Sequence, residues 1–411
     1  MQIAVVGAGI VGLATAHALL ERGHRVTLID PGGLQGRPTD GNAGWIAHVD
    51  IMPLASPKVW RNLPHWLMDP LGPLTIRPAY LPSLAPWLIR FVLASSPARI
   101  KTSMKAIRAI NAQALPAWQT LLSSLGLSGH LREKGILSVW RKQSAFAQAA
   151  DLFARQRDYG IAVDILKPGD LAALEPALRN VEAGALYPDA CHVSDPATLA
   201  SDLHRLAGER GAQLVPGRVL SIRPESDGIH LQIDGAVHEL VADKVVLAAG
   251  IWSRTLAKGL DDSIPLDTER GYNATYPEGS FGLNRPIMFE GEGFVTSPLA
   301  AGDRVGGAVE FGGVEAPPNH ARTEAMIARL KRFLPDFDAG QPAKRWMGFR
   351  PSVPDSLPVI GPSRRDARVV YAFGHGHHGL TQAAVTSRLV TDLVDGQPGE
   401  IDLRPYSPQR F

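Results

Sequence analysis

Three glycines near the N-terminus have the spacing of a phosphate-binding turn. Gly7, Gly9 and Gly12 form the motif G-A-G-I-V-G between an apolar run that predicts a buried strand and a longer run that predicts a helix. Gly7 permits a tight turn, Gly9 lets the backbone approach a pyrophosphate, and Gly12 lets the helix pack closely against the strand. The free amide groups at the start of that helix, around Ile10 and Val11, favour negative charge.

A second predicted strand, at 25–29, ends beside an acid. Asp30 follows Gly12 by 18 residues, and a carboxylate there can accept hydrogen bonds from both ribose hydroxyls of an adenosine. Strand, glycine turn, helix, strand and acid thus follow the order of a dinucleotide-binding unit. Arg37 would suit a 2′-phosphate and hence NADP, but Asp30 would repel that phosphate. We therefore expect Arg37 to be a solvated loop residue.

Another run with the character of a buried strand lies far along the chain. Residues 245–252 have the sequence V-V-L-A-A-G-I-W, and the small residues at its end would let the chain pass close to a dinucleotide. Such a return is typical of a two-part flavin domain and argues against an NAD-dependent dehydrogenase. On this side of the cofactor, the binding residues are predicted to be Val219, Ala249, Gly250 and Trp252.

Two C-terminal segments carry a more specific pattern. Residues 345–362 have the sequence R-W-M-G-F-R-P-S-V-P-D-S-L-P-V-I-G-P, and residues 371–381 have the sequence Y-A-F-G-H-G-H-H-G-L-T. Together with the glycine turn, the A-A-G strand end and an N-A-G segment at 42–44, they resemble the D-amino acid oxidase family of FAD-dependent oxidoreductases. The likeness extends in particular to its bacterial D-amino acid dehydrogenase branch.

The resemblance implies a two-domain fold of the α/β (α+β) class. A glutathione-reductase-type Rossmann domain would bind FAD, and a cap domain built on an antiparallel sheet would cover the substrate. The FAD domain is predicted at 1–80, 190–262 and 345–411, and the cap at 81–189 and 263–344.

The resemblance also assigns the C-terminal glycine loop to the flavin ring. A predicted helix at 380–394 starts beside this loop, and its first amide groups would stabilise negative charge on the pyrimidine edge of a reduced flavin. The residues assigned to the flavin are Asn42, Ala43, Gly44, Gly374, His375, Gly376, His378, Gly379, Leu380 and Thr381. The loop histidines invite a metal interpretation, but no nearby acid or cysteine completes a ligand set, so we expect no metal.

Arg350 is the predicted anchor for a substrate carboxylate, because a guanidinium binds a carboxylate through two parallel hydrogen bonds. Its alternative role is an ion pair with Asp355. Tyr272 and Arg270 are further candidates for the same carboxylate, although ordinary packing roles suit them equally. His377 is the loop histidine placed with the catalytic group, beside the flavin or the substrate.

The implied chemistry is hydride transfer from an amine-bearing α-carbon to flavin N5, followed by hydrolysis of the imine. The amine must be neutral, and the protein supplies orientation and electrostatics. The best substrate prediction is a D-amino acid or a related cyclic amino acid. Sarcosine or glycine oxidation, hydroxyproline or opine oxidation, and a flavin-bearing subunit of an electron-transfer complex remain alternatives.

A covalent link to the flavin is not expected. Some relatives in the family attach the flavin to a cysteine in the C-terminal region or to a histidine near the first loop. At the C-terminal position this chain has Phe349 and Arg350, and at the first-loop position it has Asn42. Cys191 lies elsewhere in the sequence. Noncovalent FAD is therefore the prediction.

Composition limits the partners. Net charge is +2 without a Lys/Arg run, which argues against nucleic acid, and the single cysteine fits a reducing cytoplasm. Residues 58–96 contain Trp60, Trp66 and Trp87 without a clear period, so they are either an irregular buried excursion or an exposed patch on the inner face of the membrane. Such a patch would suit a membrane quinone as the electron acceptor, and oxygen is the alternative acceptor. The sequence does not indicate the oligomeric state.

Overall fold

The computed structural model describes residues 1–32, 37–55, 71–72, 74–235 and 239–411. Its strands are β1 (Gln2–Val6), β2 (Arg25–Asp30), β3 (Trp45–Ile46), β4 (Leu74–Ile76), β5 (Leu131–Arg132), β6 (Ile136–Trp140), β7 (Asp164–Leu166), β8 (Ala183–Tyr187), β9 (Cys191–Val193), β10 (Gln213–Pro216), β11 (Val219–Pro224), β12 (Ile229–Ile233), β13 (Leu240–Ala242), β14 (Lys244–Leu247), β15 (Asp267–Tyr276), β16 (Ile287–Phe289), β17 (Phe294–Leu299), β18 (Gly302–Phe311), β19 (Lys344–Ser352), β20 (Val359–Pro362) and β21 (Val369–Phe373).

Its α-helices are α1 (Ile10–Glu21), α2 (Leu81–Ala94), α3 (Pro97–Ala112), α4 (Ala114–Ser124), α5 (Gln143–Ala147), α6 (Ala150–Asp158), α7 (Pro168–Leu174), α8 (Pro196–Glu209), α9 (Ser253–Lys258), α10 (Ala321–Leu330) and α11 (Gly379–Asp395).

The first sheet carries the glycine turn. Within the described ranges it has the strand order β10-β2-β1-β14-β21-β20, parallel from β10 to β21 and antiparallel at β20. Side chains of β1 alternate between two cores, because Ile3 and Val5 pack with α1 and α11 while Ala4 and Val6 pack with β11 to β13. Burial on both faces explains why β1 and β14 are apolar along almost their whole length.

The second sheet is longer and mostly antiparallel. In the described residues its order is β19-β15-β18-β17-β16-β6-β8-β7, with β4 paired to β18. β15 and β18 each span ten residues, and α10 packs across them over a core that includes Phe289, Phe294 and Phe333. The chain enters this sheet twice between strands of the first sheet. The predicted class, a Rossmann sheet joined to an antiparallel cap sheet, is confirmed, while the domain boundaries stay a prediction.

The apolar pattern at 102–126 predicts one long amphipathic helix, bent near Pro116, but the structure has two helices here. α3 ends at Ala112, α4 begins at Ala114, and Gln113 forms the joint. Pro116 lies in the first turn of α4, where a missing N–H costs no intrahelical hydrogen bond. The break therefore falls before the proline rather than at it. The sequence also predicts one helix at 144–159, and the structure divides this segment into α5 and α6.

Residues 58–96 contain a regular element that the sequence analysis did not find. Residues 56–70 and 73 lie outside the described ranges, and so do Trp60 and Trp66. α2 follows, with Leu84, Trp87 and Phe91 on its buried side at helical spacing. Trp87 is only 6% exposed, which agrees with the buried alternative for this residue and excludes it from an exposed membrane patch.

The sequence predicts one strand at 213–223, but the structure has two strands there. β10 pairs with β2 in the first sheet, whereas β11 pairs with β12 in a separate three-stranded sheet. Over the residues that the structure describes, none of the helices combines the length and apolar character needed to cross a bilayer.

Candidate active site

A cavity of about 920 Å³ lies where the two sheets meet. One wall comes from the carboxyl ends of β1, β14 and β21 with the loops that follow them. The other wall comes from β16 to β19 of the second sheet. The carboxyl ends of parallel strands are the usual binding edge of such sheets.

Most of the predicted cofactor residues line this cavity. The lining residues among them are Gly7, Gly9, Ile10, Val11, Asp30, Asn42, Ala43, Val219, Ala249, Gly250, Trp252, Gly374, His375, Gly376, His378, Gly379, Leu380 and Thr381. Gly12 and Gly44 support the wall from behind. Gly44 has φ +81°, a left-handed conformation that favours glycine.

The glycine turn has room for a phosphate because its residues lack side chains. Gly7 has φ +104°, and a β-carbon there would lie 2.5 Å from the carbonyl oxygen of Ala248. A β-carbon at Gly12 would strike the carbonyl oxygen of Gly7. A β-carbon at Gly9 meets nothing within 4 Å, so the space in front of the α1 N-terminus is open. These contacts fit a pyrophosphate held by backbone amides.

Asp30 stands at the edge of this turn with its carboxylate held in place. Oδ2 accepts a hydrogen bond from the amide of Ala8 at 2.8 Å, and Oδ1 accepts one from Nη2 of Arg37 at 2.7 Å. Arg37 also donates to the carbonyl oxygen of Ala8 at 2.6 Å. The expectation that Arg37 is a solvated loop residue is therefore wrong, because its side chain folds over Asp30 and lines the cavity.

The first turn of α11 is joined to β3 and Ala47, directly beyond the N-A-G segment. The hydroxyl of Thr381 accepts a hydrogen bond from the amide of Ala47 at 3.0 Å and donates to the carbonyl oxygen of Trp45. The carbonyl oxygen of Asn42 in turn accepts a hydrogen bond from Arg304 at 2.6 Å. Two segments that are 334 residues apart in sequence at Ala47 and Thr381 are thus joined in the cavity wall.

The three loop histidines differ in environment. Burial lowers the pKa of His375 to about 3 and that of His378 to about 4, with a smaller contribution from a neighbouring histidine in each case. Both imidazoles are neutral near pH 7. His375 Nε2 lies 3.0 Å from the hydroxyl oxygen of Thr386, while the side chain of His377 is 34% exposed toward the cavity.

His377 is held by an acid that the sequence analysis missed. Its Nε2 lies 2.5 Å from Oε2 of Glu269, and Ser352 donates its hydroxyl to Oε1 of the same carboxylate at 2.6 Å. Burial alone would raise the pKa of Glu269, but His377, Ser352 and Arg350 outweigh it and hold the pKa below its usual value. The pairing of β15 with β19 explains the position of this acid, because Glu269 lies directly opposite Arg350 in the register of the two strands.

Arg350 lines the cavity with its guanidinium incompletely bonded. Nη2 donates to the carbonyl oxygen of Gly307 at 3.2 Å. Nη1 is buried and has no hydrogen-bond partner among the described residues. Burial lowers the pKa of Arg350, and the Glu269 carboxylate opposes that shift. The predicted alternative partner, Asp355, is instead bonded to Arg410 at 2.8 Å.

The other two candidates for the substrate carboxylate are engaged elsewhere. Arg270 is fully buried outside the cavity lining, and its Nη1 donates to Glu310 at 3.0 Å. Tyr272 lines the cavity, but its hydroxyl donates to the same carboxylate at 2.6 Å and accepts a hydrogen bond from the amide of Asn319. Glu310 and nearby carbonyl oxygens therefore engage the Tyr272 hydroxyl and both terminal nitrogens of Arg270, while Arg270 Nε is buried without a hydrogen-bond partner among the described residues.

One further acid on the cavity wall escaped the sequence analysis. Asp50 lies just beyond the N-A-G segment, in a stretch without a recognisable motif. Trp45 lines the cavity and donates its indole N–H to Ser297 at 2.7 Å. His48 is not in the lining, and burial lowers its pKa.

The family model of the FAD dependent oxidoreductases named DAO matches residues 2–393. The chain therefore belongs to this family, and its enzyme class and FAD cofactor are confirmed. The glycine cradle, the carboxylate at the ribose position and the size of the cavity fit FAD. The cofactor would be held by the α1 and α11 N-termini, by Asp30 and by the wall around Gly250.

Individual relatives agree over the whole length. A D-amino-acid oxidase of Bradyrhizobium diazoefficiens is 35% identical, covering 100% of this chain and 99% of that protein. A D-amino acid dehydrogenase 2 of Ralstonia nicotianae is 30% identical and both chains are covered to 100%. The fold matches glycine oxidase from Geobacillus kaustophilus with a TM-score of 0.78 at 23% identity, covering 100% of this chain and 98% of that chain.

Proposed function

We propose that this enzyme oxidatively deaminates a D-amino acid or a related cyclic amino acid with noncovalent FAD. The observation that carries the proposal is the guanidinium of Arg350, a residue of the cavity lining whose Nη1 is buried and has no hydrogen-bond partner among the described residues. A buried cation with an unused donor is costly, and a ligand carboxylate would satisfy it. The whole-length relatives named for D-amino acids support the same substrate class.

The protein's own contribution is orientation and charge. Arg350 would hold the carboxylate, so that the α-carbon has one fixed placement in the cavity. Bound FAD supplies the oxidising power by accepting a hydride. The N-terminus of α11 directs its amide groups toward the site of the flavin, where they favour added negative charge. His375 and His378, whose pKa values are lowered to about 3 and about 4, add no charge to this environment near pH 7.

The cap-side wall favours a substrate with an apolar side chain. Its strands contribute Met288, Val295 and Val309, and the first loop contributes Met52 and Leu54. Apolar surface of this kind binds an aliphatic or aromatic side chain by removing it from water. A small cyclic amino acid such as proline fits the same description.

Noncovalent attachment is supported by the position of the one cysteine. Cys191 lies in β9, is 1% exposed and does not line the cavity. Burial, with smaller contributions from Glu133 and Asp189, raises the pKa of its thiol to about 12, which disfavours the nucleophilic thiolate.

The electron acceptor is proposed to be a membrane quinone, with oxygen as the alternative. α2 exposes Ile89, Val92 and Leu93 at 61%, 48% and 53%, on the side opposite Trp87. Residues 70–132 contain no Asp or Glu. Their cations are Arg77, Arg90, Arg99, Lys101, Lys105, Arg108 and Arg132. An apolar helix face within a purely cationic stretch suits the surface of an anionic bilayer.

Substrate class is tested by anaerobic incubation of the holoenzyme with D- and L-amino acids, both proline and hydroxyproline isomers, glycine and sarcosine. Loss of flavin absorbance with formation of the 2-oxo acid, or of the cyclic imine, is the expected result for apolar D-amino acids or D-proline. Reduction by sarcosine or glycine alone would favour the alternative enzymes. Reduction that requires an added partner protein would favour the electron-transfer subunit.

Membrane contact is tested by co-sedimentation with anionic liposomes at low salt. The wild type and the control Leu220→Ser, which changes a 47% exposed leucine outside the patch, should bind. A variant with Ile89, Val92 and Leu93 changed to Ser should stay in the supernatant. Wild-type protein that fails to sediment would rule the patch out and leave oxygen or a soluble acceptor.

A further inference from the structure

Asp50 presents a free carboxylate to the cavity. Its backbone is fixed, because its amide donates to the carbonyl oxygen of Ala47 at 3.1 Å and its carbonyl oxygen accepts a hydrogen bond from Asn111 at 2.8 Å. Its side chain lines the cavity and makes no hydrogen bond or ion pair with the described residues. A rigid backbone with an unpartnered side chain is the arrangement of a group that serves a ligand.

The other charges of the cavity are already in use or lie at its far end. Asp30 is paired with Arg37, and Arg304 donates to Thr275 and to Asn42. Arg218 is exposed and follows Gly217, whose amide donates to the carbonyl oxygen of Asp30 at the ribose end. His377 is bonded to Glu269.

Asp50 and Arg350 therefore stand out as two opposite charges with unused hydrogen-bonding atoms. A free amino acid carries the complementary pair, one ammonium and one carboxylate. When such a ligand enters, its ammonium pairs with Asp50 and its carboxylate pairs with Arg350. This pairing removes the main cost of burying a ligand that carries two charges.

We propose that Asp50 binds the substrate ammonium and accepts its proton, while Arg350 binds the substrate carboxylate. This inference rests on the proposed function. One N–H bond breaks, the proton moves to a carboxylate oxygen of Asp50, and the electron pair stays on nitrogen as a lone pair. The neutral amine can then support loss of the hydride to FAD, and the proton leaves Asp50 to solvent after the imine departs.

The surroundings of Asp50 suit a proton acceptor. The side chain of Asp50 is exposed to the cavity, yet desolvation by the protein packed around it raises the pKa of its carboxyl to about 6, while electrostatic attraction to His377 opposes that shift. The other titratable group that senses its charge is the hydroxyl of Tyr187, whose pKa is raised by burial and, to a smaller extent, by Asp50. A base with a pKa near the working pH is ionised and still basic enough to take a proton.

The test compares holoenzymes carrying D50N, an almost isosteric change, and D189N, a control that neutralises an exposed acid outside the cavity lining. The D50N variant should reduce its flavin about 10²-fold more slowly at saturating amino acid, whereas D189N should match the wild type. Both variants should bind a carboxylic acid without an amine as the wild type does, measured by its perturbation of the flavin spectrum. A normal rate in D50N, or equal weakening toward the amine-free acid, would overturn the inference.

A second measurement needs only the wild type. kcat/KM reports the ionisations of the free enzyme. In the wild type it should therefore increase as the pH rises through about 6, and this increase should be absent in D50N. A wild-type kcat/KM that does not increase over this pH range would also overturn the inference. If no amino acid reduces wild-type flavin, the proposed function itself fails; if reduction occurs and D50N is unaffected, only the role of Asp50 fails.

Discussion

Gly271 lies directly beneath the guanidinium of Arg350. A β-carbon at Gly271 would stand 2.5 Å from both Cζ and Nη2 of Arg350. In the pairing of β15 with β19, Gly271 faces Gly348 and Glu269 faces Arg350. Because alternate residues of a strand share a face, Gly271 occupies the same face as Glu269 and leaves room there for the guanidinium.

Gly271→Ala should therefore impair substrate binding without removing FAD. The added methyl group must push the guanidinium from its place, and a shift of about 1 Å at a positioning group can cost about 10²-fold in rate. We expect kcat/KM for amino acids to fall by a similar factor. The control is Gly169→Ala, where a β-carbon meets nothing within 4 Å. Unchanged kinetics in Gly271→Ala would contradict this placement of Arg350.

Replacing Arg350 itself should have a larger effect. Loss of one partner of a buried ion pair costs about 3–5 kcal/mol, which corresponds to about 10²- to 10⁴-fold in kcat/KM. Arg350→Lys should recover only part of this, because an ammonium cannot form two parallel hydrogen bonds. FAD content should stay near normal in both variants. Near-normal kinetics in Arg350→Ala would require a different anchor, and Tyr272 or Arg270 would first have to leave Glu310.

Asp30→Ala should weaken FAD binding while leaving the chemical step intact. The carboxylate accepts the Ala8 amide and orders Arg37, so its loss disturbs the ribose end of the cavity. That end lies far from the loop assigned to the flavin ring. The FAD dissociation constant should increase, and the rate of flavin reduction at saturating FAD should stay nearly unchanged. A large loss of that rate would argue against the ribose assignment.

His375→Gln should flatten the dependence of stability on pH. His375 is 4% exposed and its pKa is lowered to about 3, so below about pH 6.5 the unfolded chain takes up a proton that the folded protein does not. The folded state then loses about 1.4 kcal/mol for each further pH unit until the folded pKa is reached. The thermal midpoint of the wild type should consequently fall more between pH 7.5 and 5.5 than that of His375→Gln. Equal decreases would mean that His375 is not the source of this pH dependence.

The dinucleotide unit could be predicted because each of its parts has a local cause. The spacing of Gly7, Gly9 and Gly12, the apolar run of β1 and the acid at Asp30 are all visible in the sequence. The same holds for β21 and α11, where a buried strand, a glycine loop and a long helix follow one another. Local pattern and tertiary structure agree in these elements.

Other features depend on contacts that no local pattern contains. Glu269 became part of the site through its register with Arg350, and Asp50 through a loop that is tied to Asn111. α2 was missed because Pro82 and Pro86 masked the helical spacing of its buried residues. Pro82 lies in the first turn, and the interior Pro86 is tolerated in a helix whose other face is packed.

Anaerobic reduction of the bound flavin by the two enantiomers of one apolar amino acid tests the central claim most directly. Rapid mixing of holoenzyme with each enantiomer should bleach the flavin absorbance with the D-form at a rate that saturates with concentration. The L-form should be much slower, because with the carboxylate on Arg350 and the side chain against the apolar wall only one enantiomer can direct its α-hydrogen at the flavin, and the relatives named for D-amino acids indicate the D-form. Flavin that stays oxidised with every D-amino acid, D-proline included, would contradict the account.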